Sequence, residues 1–362
     1  MVGQAGGVPY PWLEAAYREA IALGEAHALL LHGPQGLGQF ELALALAQAR
    51  LCESEAAERP VRFGCGACAS CRLFLARSHP DLLVVIPDAL REGLGWAGSE
   101  MPGDDSSTAA TSRAKPSKEI RVDDVRQVIG FAQSTSSRGR GRAVVVHPAE
   151  RMNAVAANAL LKTLEEPPGQ TCFVLCSATF EGLLPTVRSR CQTVRLRLPS
   201  IEQAKAWLEA QGAKDPEILL TACGGHPLDA LDWSNSGMDA NAWLALPGEL
   251  ARGQTQLFDD RPLAWVIETL SKLCHDAMCV LVAARPRYFP IDSFDPVGLE
   301  VTALGEWASA LRREARQSEN PWNTGLKFES LIQQAKAALH GKSSVAARLP
   351  QKSTQAFVHS AP

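Results

Sequence analysis

Four of the ten cysteines, Cys52, Cys65, Cys68 and Cys71, fall in a C-x12-C-x2-C-x2-C spacing. Thiolates at such intervals suit a tetrahedral zinc ion, and four of them leave no open coordination position. The expected site is therefore one structural zinc that pins the chain around residues 52–71, not a catalytic metal. His79 follows closely and is expected to be a surface histidine. The other six cysteines, Cys172, Cys176, Cys191, Cys223, Cys274 and Cys279, are expected to serve as small buried hydrophobes. A second stretch with chemical potential is Gly33-Pro34-Gln35-Gly36-Leu37-Gly38-Gln39-Phe40. Its Gly33 and Gly38 have the spacing of a phosphate-binding loop. A working loop needs a lysine for the outer phosphates and a Ser or Thr hydroxyl for magnesium, but Gln39 and Phe40 hold those places. The alternative is an ordinary glycine turn before a helix.

The elements that must position these residues can be read from hydrophobic periodicity. Ala28 to Leu31, Leu82 to Ile86, Ala143 to Val146 and Cys172 to Cys176 are short apolar runs that read as buried strands. Helical patterns lie between them: Phe40 to Leu51, one starting near Asp123, and Ala154 to Leu164. Strands alternating with helices imply an α/β fold with a parallel, helix-covered sheet. The third run ends in His147-Pro148, where nucleotide hydrolases place metal-organising acids. Histidine is a poor magnesium ligand beside carboxylates and proline has no proton acceptor to polarise an attacking water, so no intrinsic ATP hydrolysis is expected. From Pro199 onward the strand signals fade: Ile201 to Ala210, Asp215 to Cys223 and Pro227 to Trp233 read as short helices, and residues 241–340 as longer ones with a loop around Arg285 to Pro296. A Gly/Ser/Thr/Ala-rich stretch at about 90–116 is expected to be a mobile insertion, and 343–362 a disordered tail.

Composition limits the remaining choices. The 362 residues are 46% hydrophobic and 21% charged, with 36 basic against 39 acidic side chains and a formal charge of −3. This describes a globular chain of two or three domains without the overall positive charge of an autonomous nucleic-acid binder. No run of eighteen apolar residues occurs and the start lacks the form of a secretory signal, so a cytoplasmic protein without a membrane partner is expected. Arg138-Gly139-Arg140-Gly141-Arg142 could touch phosphates, but with no interleaved aromatic residue it reads as a solvated turn. A zinc-dependent DNA-binding regulator would need a basic recognition element by the cysteines, where only Arg62 and Arg72 lie close.

Asn158-Ala159-Leu160-Leu161-Lys162-Thr163-Leu164-Glu165-Glu166-Pro167-Pro168, followed by Ser189-Arg190-Cys191, resembles the clamp-loader branch of the AAA+ ATPases, as found in the bacterial DNA polymerase III clamp loader. Tyr10-Pro11-Trp12-Leu13, the degenerate loop and the four cysteines strengthen the likeness, which runs to about His340 and is weakest in the last hundred residues. It implies a P-loop AAA+ (RecA-like) core over 1–197 carrying the zinc module at 52–71, a three-helix lid over 198–238, and an all-α collar over 239–342 for oligomerisation. Asn320-Pro321-Trp322-Asn323 resembles the collar entry, and Leu228 takes the place of a nucleotide-sensing arginine. The implied function is a non-hydrolysing stator within the polymerase holoenzyme. Arg190 would serve in trans as an arginine finger for a neighbour's ATP, although a structural ion pair is its ordinary alternative and Arg188 lies two residues away. Implied partners are ATP-binding clamp-loader subunits and the delta subunit in a hetero-pentameric ring, with the sliding clamp and primer-template DNA reached through the complex. An ATP-hydrolysing motor subunit of the same loader is the competing expectation.

Overall fold

The computed structural model of the chain describes residues 7–24, 26–54, 63–96, 116–237, 240–258, 261–317 and 324–340. They gather into two compact units, Met1–Gly212 with Gly225–Leu231, and Ala213–Gly224 with Asp232–Pro362. Most of the expected insertion (97–115), the collar-entry residues Asn320 to Asn323 and the expected tail lie outside the described residues.

The first unit is built on a five-stranded sheet of β1 (Ala28–His32), β2 (Leu82–Val85), β3 (Arg142–Val146), β4 (Thr171–Ser177) and β5 (Gln192–Arg195), in the order β2-β3-β4-β1-β5. Every pairing is parallel, with Leu30 opposite Leu175 on one side and Thr193 on the other. The apolar runs are continuous because the sheet is covered on both faces. Leu29, Leu31, Ala143, Val145 and Val174 pack with the helix Gln39–Leu51. Ala28, Leu30, Val144, Val146 and Phe173 pack with the helices Val122–Gln133 and Ala154–Glu165. Local signals set the helix starts. The Asn153 side chain accepts from the Ala156 N–H at 2.9 Å, and the Asp124 carboxylate accepts from the Arg121 N–H at 2.7 Å.

Strand β5 was not expected from the sequence. It lies at the sheet edge and buries only Val194 of its four residues, so it offers no apolar run to read. It matters nonetheless, because it places β1 inside the sheet and lays Leu196 against Gly33, where an added Cβ would meet the Leu196 carbonyl oxygen at 2.5 Å.

The second unit is helical, with Pro216–Ala222, Ala240–Ala251, Leu263–Leu281, Val301–Gln317 and Thr324–His340 as its helices. Val266, Ile267, Leu270, Leu273, Cys274 and Ala277 recur at three- and four-residue intervals along the longest helix and face the core. Trp243 is fully buried there, stacked on Phe289 at 4.4 Å and donating from Nε1 to the Tyr288 carbonyl at 3.1 Å.

Candidate functional site

The glycine loop leaves the carboxyl end of β1, the end of a parallel sheet at which phosphate-binding loops operate. Its backbone has the expected shape: Gly36 and Gly38 have φ of +75° and +92°, a region costly for any other residue. An added Cβ at Gly38 would sit 2.6 Å from the Tyr10 ring. Tyr10 in turn stacks on Trp12 at 5.0 Å, and Trp12 Nε1 donates to the Leu37 carbonyl at 2.9 Å. The residues before the first helix therefore cover the loop from one side.

Its side chains are engaged with the loop itself and with its neighbours. Gln39 is buried and turned inward, its amide nitrogen donating to the Gly33 and Pro34 carbonyls at 2.7 and 2.6 Å. A lysine here would present its charge outward to phosphate; the Gln39 amide instead ties the loop to itself. Phe40 is buried and its ring stacks on that of His147 at 5.0 Å. Burial holds His147 neutral, its pKa lowered to about 4, and its Nδ1 has no hydrogen-bond partner. The Asp229 carboxylate lies against Gly36, where an added Cβ would meet it at 2.7 Å. An anion beside the loop opposes phosphate there. Asp229 lies far along the chain, and only the fold brings it to Gly36.

The four expected metal ligands come together. The Cys52, Cys65, Cys68 and Cys71 sulfurs all lie within 4.8 Å of one another, with Cys52–Cys68 and Cys65–Cys71 separations of 3.9 Å. A tetrahedron with metal–sulfur bonds of about 2.3 Å has edges of about 3.8 Å, so the cluster can hold one metal ion. Backbone N–H groups support the sulfurs: Cys65 donates to Cys52, Cys68 to Cys65 and Cys71 to Cys68, at 3.2 to 3.4 Å. Burial pushes the Cys65 thiol up, but N–H donors from Cys68 and Ala67 outweigh it and bring the pKa down to about 6. The buried Cys71 is pushed the other way, chiefly by desolvation.

The setting of this cluster corrects two expectations. His79 is buried, not at the surface. Its Nδ1 accepts from the Asp81 N–H at 3.0 Å, which leaves Nε2 to donate to Ser70 Oγ at 2.6 Å, and the Ser70 hydroxyl donates in turn to the Leu51 carbonyl at 2.6 Å. The Arg138–Arg142 stretch is not a solvated turn. Arg138 pairs with Glu53 at 2.6 Å, Arg140 donates to the Glu53 carbonyl, and Arg142 is buried over the Phe131 ring. The fully buried Asp81 accepts the Ser137 and Arg138 N–H groups at 2.7 and 2.9 Å. Through Glu53, Arg138 and Arg140 tie the cysteine segment to the loop before β3.

Arg190 forms the ion pair that was its ordinary alternative. Nε and Nη2 donate to Glu165 Oε2 at 3.0 and 2.8 Å, while Nη1 donates to the Thr186 carbonyl at 3.0 Å. The side chain keeps 30% exposure. Arg188, its neighbour in the motif, is committed elsewhere, over the Phe180 ring at 4.6 Å.

Among the other cysteines, Cys172, Cys176, Cys223 and Cys274 are buried as expected, whereas Cys191 and Cys279 are only partly so. Cys279 lies near His275 and Asp276, a grouping with the residue types of a metal site. Asp276 already accepts from the Arg287, Tyr288 and Phe289 N–H groups at 2.6 to 2.9 Å, so its carboxylate builds the 287–289 turn. A cavity of about 630 Å³ opens at the amino ends of β1, β3 and β4, away from the glycine loop. No helix among the described residues is long and apolar enough to cross a membrane.

Comparison with known proteins agrees with the motifs. The family model described as DNA polymerase III, delta subunit, matches residues 16–200, half of the chain. The chain is 37% identical over 227 residues to the DNA polymerase III subunit delta' of Pseudomonas aeruginosa, covering 61% of this chain and 60% of that protein. It is 32% identical over 217 residues to the subunit of the same name from Escherichia coli, covering 59% and 56%. A DNA polymerase III subunit tau from Salmonella typhimurium is 27% identical over 328 residues, covering 88% of this chain and 44% of that one. The chain thus spans about 60% of the length of the delta' relatives it matches.

Proposed function

The chain belongs to the DNA polymerase III delta-subunit family, and on that premise we propose that it is a non-hydrolysing stator of the polymerase's clamp loader. In this reading the sheet unit is an AAA+ core, the following helices are lid and collar, and the collar joins a hetero-pentameric ring with ATP-binding subunits and a delta subunit. The ring places the sliding clamp on primed DNA, and this chain completes a neighbour's ATP site with Arg190. The four cysteines hold one structural zinc, the metal that a closed four-thiolate set favours. The observation that carries the reading is the interior of the glycine loop: Gln39 folded onto its own carbonyls, with the Phe40–His147 stack in place of magnesium chemistry.

Catalysis in trans follows from charge. A guanidinium set across a subunit boundary neutralises the charge that develops on a transferring phosphoryl group, worth about 10³ to 10⁵ in rate. The acceptors that anchor Arg190 are a carboxylate oxygen and a carbonyl of its own chain. The test has two parts. Isolated chain is expected to bind ATP without saturation in calorimetry and to hydrolyse none. A loader reconstituted with Arg190→Ala is expected to assemble normally but to lose at least about 100-fold of its DNA-stimulated ATPase at the affected site. Hydrolysis by the isolated chain that depends on Gln39 would favour the motor-subunit reading, and undiminished ATPase in the Arg190 variant would remove the finger.

A further inference from the structure

The hydrogen bonds around Arg190 leave a specific part of its guanidinium free. A guanidinium has five N–H donors. Three are engaged, from Nε and Nη2 to Glu165 Oε2 and from Nη1 to the Thr186 carbonyl. One N–H on Nη1 and one on Nη2 therefore remain without an acceptor among the described residues. Such donors suit phosphate oxygens. The guanidinium is thus held by two acceptors while two of its donors stay unused.

We propose that Glu165 is a positioning residue for the finger, holding Arg190 in a phosphate-ready orientation before any neighbour arrives. The proposal rests on Arg190 acting in trans. Glu165 ends the helix Ala154–Glu165, whose Leu160 and Leu164 are anchored in the sheet core, so its carboxylate projects from a rigid element. Arg190 follows the short helical turn Pro185–Arg188, which has little packing of its own beyond Val187. An unrestrained arginine on such a turn would sample many rotamers, and ordering it would have to accompany each catalytic event. Glu165 removes that requirement. An exposed ion pair adds little to folding stability, so its main consequence is orientation.

The test is steady-state ATPase of the reconstituted loader carrying Glu165→Ala, Glu165→Gln, Arg190→Ala or the double alanine variant, each first checked for assembly by size-exclusion chromatography. Glu165→Ala is expected to lower kcat by about 10- to 100-fold with KM for ATP unchanged. Glu165→Gln keeps an acceptor oxygen and is expected to recover most of that loss. The double variant should be no slower than Arg190→Ala, because the two residues act through one guanidinium. A slow Arg190→Ala loader beside a fully active Glu165→Ala loader would overturn the positioning role and leave the finger standing. Equal, undiminished rates in both would instead remove the finger on which it rests. A Glu165→Ala loss that adds to the Arg190→Ala loss would also overturn the proposal, since Glu165 would then act elsewhere.

Discussion

The glycine loop and the cysteine cluster sit in the same unit, and different interactions shape them. In the loop, Gly36 and Gly38 hold positive φ while Gln39 turns onto the loop's own carbonyls and Phe40 onto His147. In the cluster, four cysteine sulfurs gather where one metal ion can be held. The loop persists because it is packed: Tyr10, Trp12, Leu37 and Leu196 close around it, and Gln39 satisfies its carbonyls. The cluster has four sulfurs within 4.8 Å of one another, close enough to share one ion. The loop is thus held by the packing of neighbouring side chains, whereas the cluster offers its sulfurs to an ion.

Breaking the cluster should have the largest effect. A four-thiolate zinc site contributes on the order of 10 kcal/mol of apparent binding free energy, so Cys71→Ser is expected to reduce zinc from one equivalent to none by elemental analysis and to lower Tm. Normal stability in metal-free protein would remove the distinction between the two regions. Next comes the Phe40–His147 stack. Burial lowers the His147 pKa from 6.5 to about 4, so the unfolded chain binds the proton first as pH falls. Stability conferred by the neutral ring is complete above pH 6.5 and is lost as pH drops toward 4, by up to about 3 kcal/mol. Denaturant titrations across that range should show this slope, and His147→Phe should flatten it.

Gly38→Ala tests whether packing holds the loop. With φ at +92° and the Tyr10 ring 2.6 Å from the new methyl, it is expected to cost about 1 to 3 kcal/mol in denaturant unfolding. The smallest effect is expected from Gln39→Lys. A lysine restores one charge, but Phe40, His147 and the Asp229 carboxylate remain, so calorimetry should still find no saturable ATP binding. Tight binding by this variant would mean that one substitution separates a structural loop from a working one.

Much of this was legible before any coordinates. Four of the five strands were readable because a doubly covered parallel sheet demands apolar residues on both faces, leaving uninterrupted runs such as Val144-Val145-Val146. The metal ligands were legible because their spacing is local. Strand β5 was not, since an edge strand that buries only Val194 carries no such run. His79 and the arginines at 138–142 were misread for a related reason: their polar types suggest solvent, and only their partners, Ser70, Asp81 and Glu53, explain their burial or engagement.

By itself, the sequence determined which chemistry is available. Gln39 and Phe40 cannot supply what lysine and a hydroxyl supply, and four closely spaced thiols can serve a metal, because these are properties of side chains wherever they sit. Tertiary structure alone decided what the retained groups do with one another. Arg190 is joined to Glu165, 25 residues away, and Gly36 lies against Asp229 from a distant helix. Such pairings depend on where the sheet and its covering helices bring the chain back together, and no local pattern of residues encodes a meeting between two surfaces that the fold itself creates.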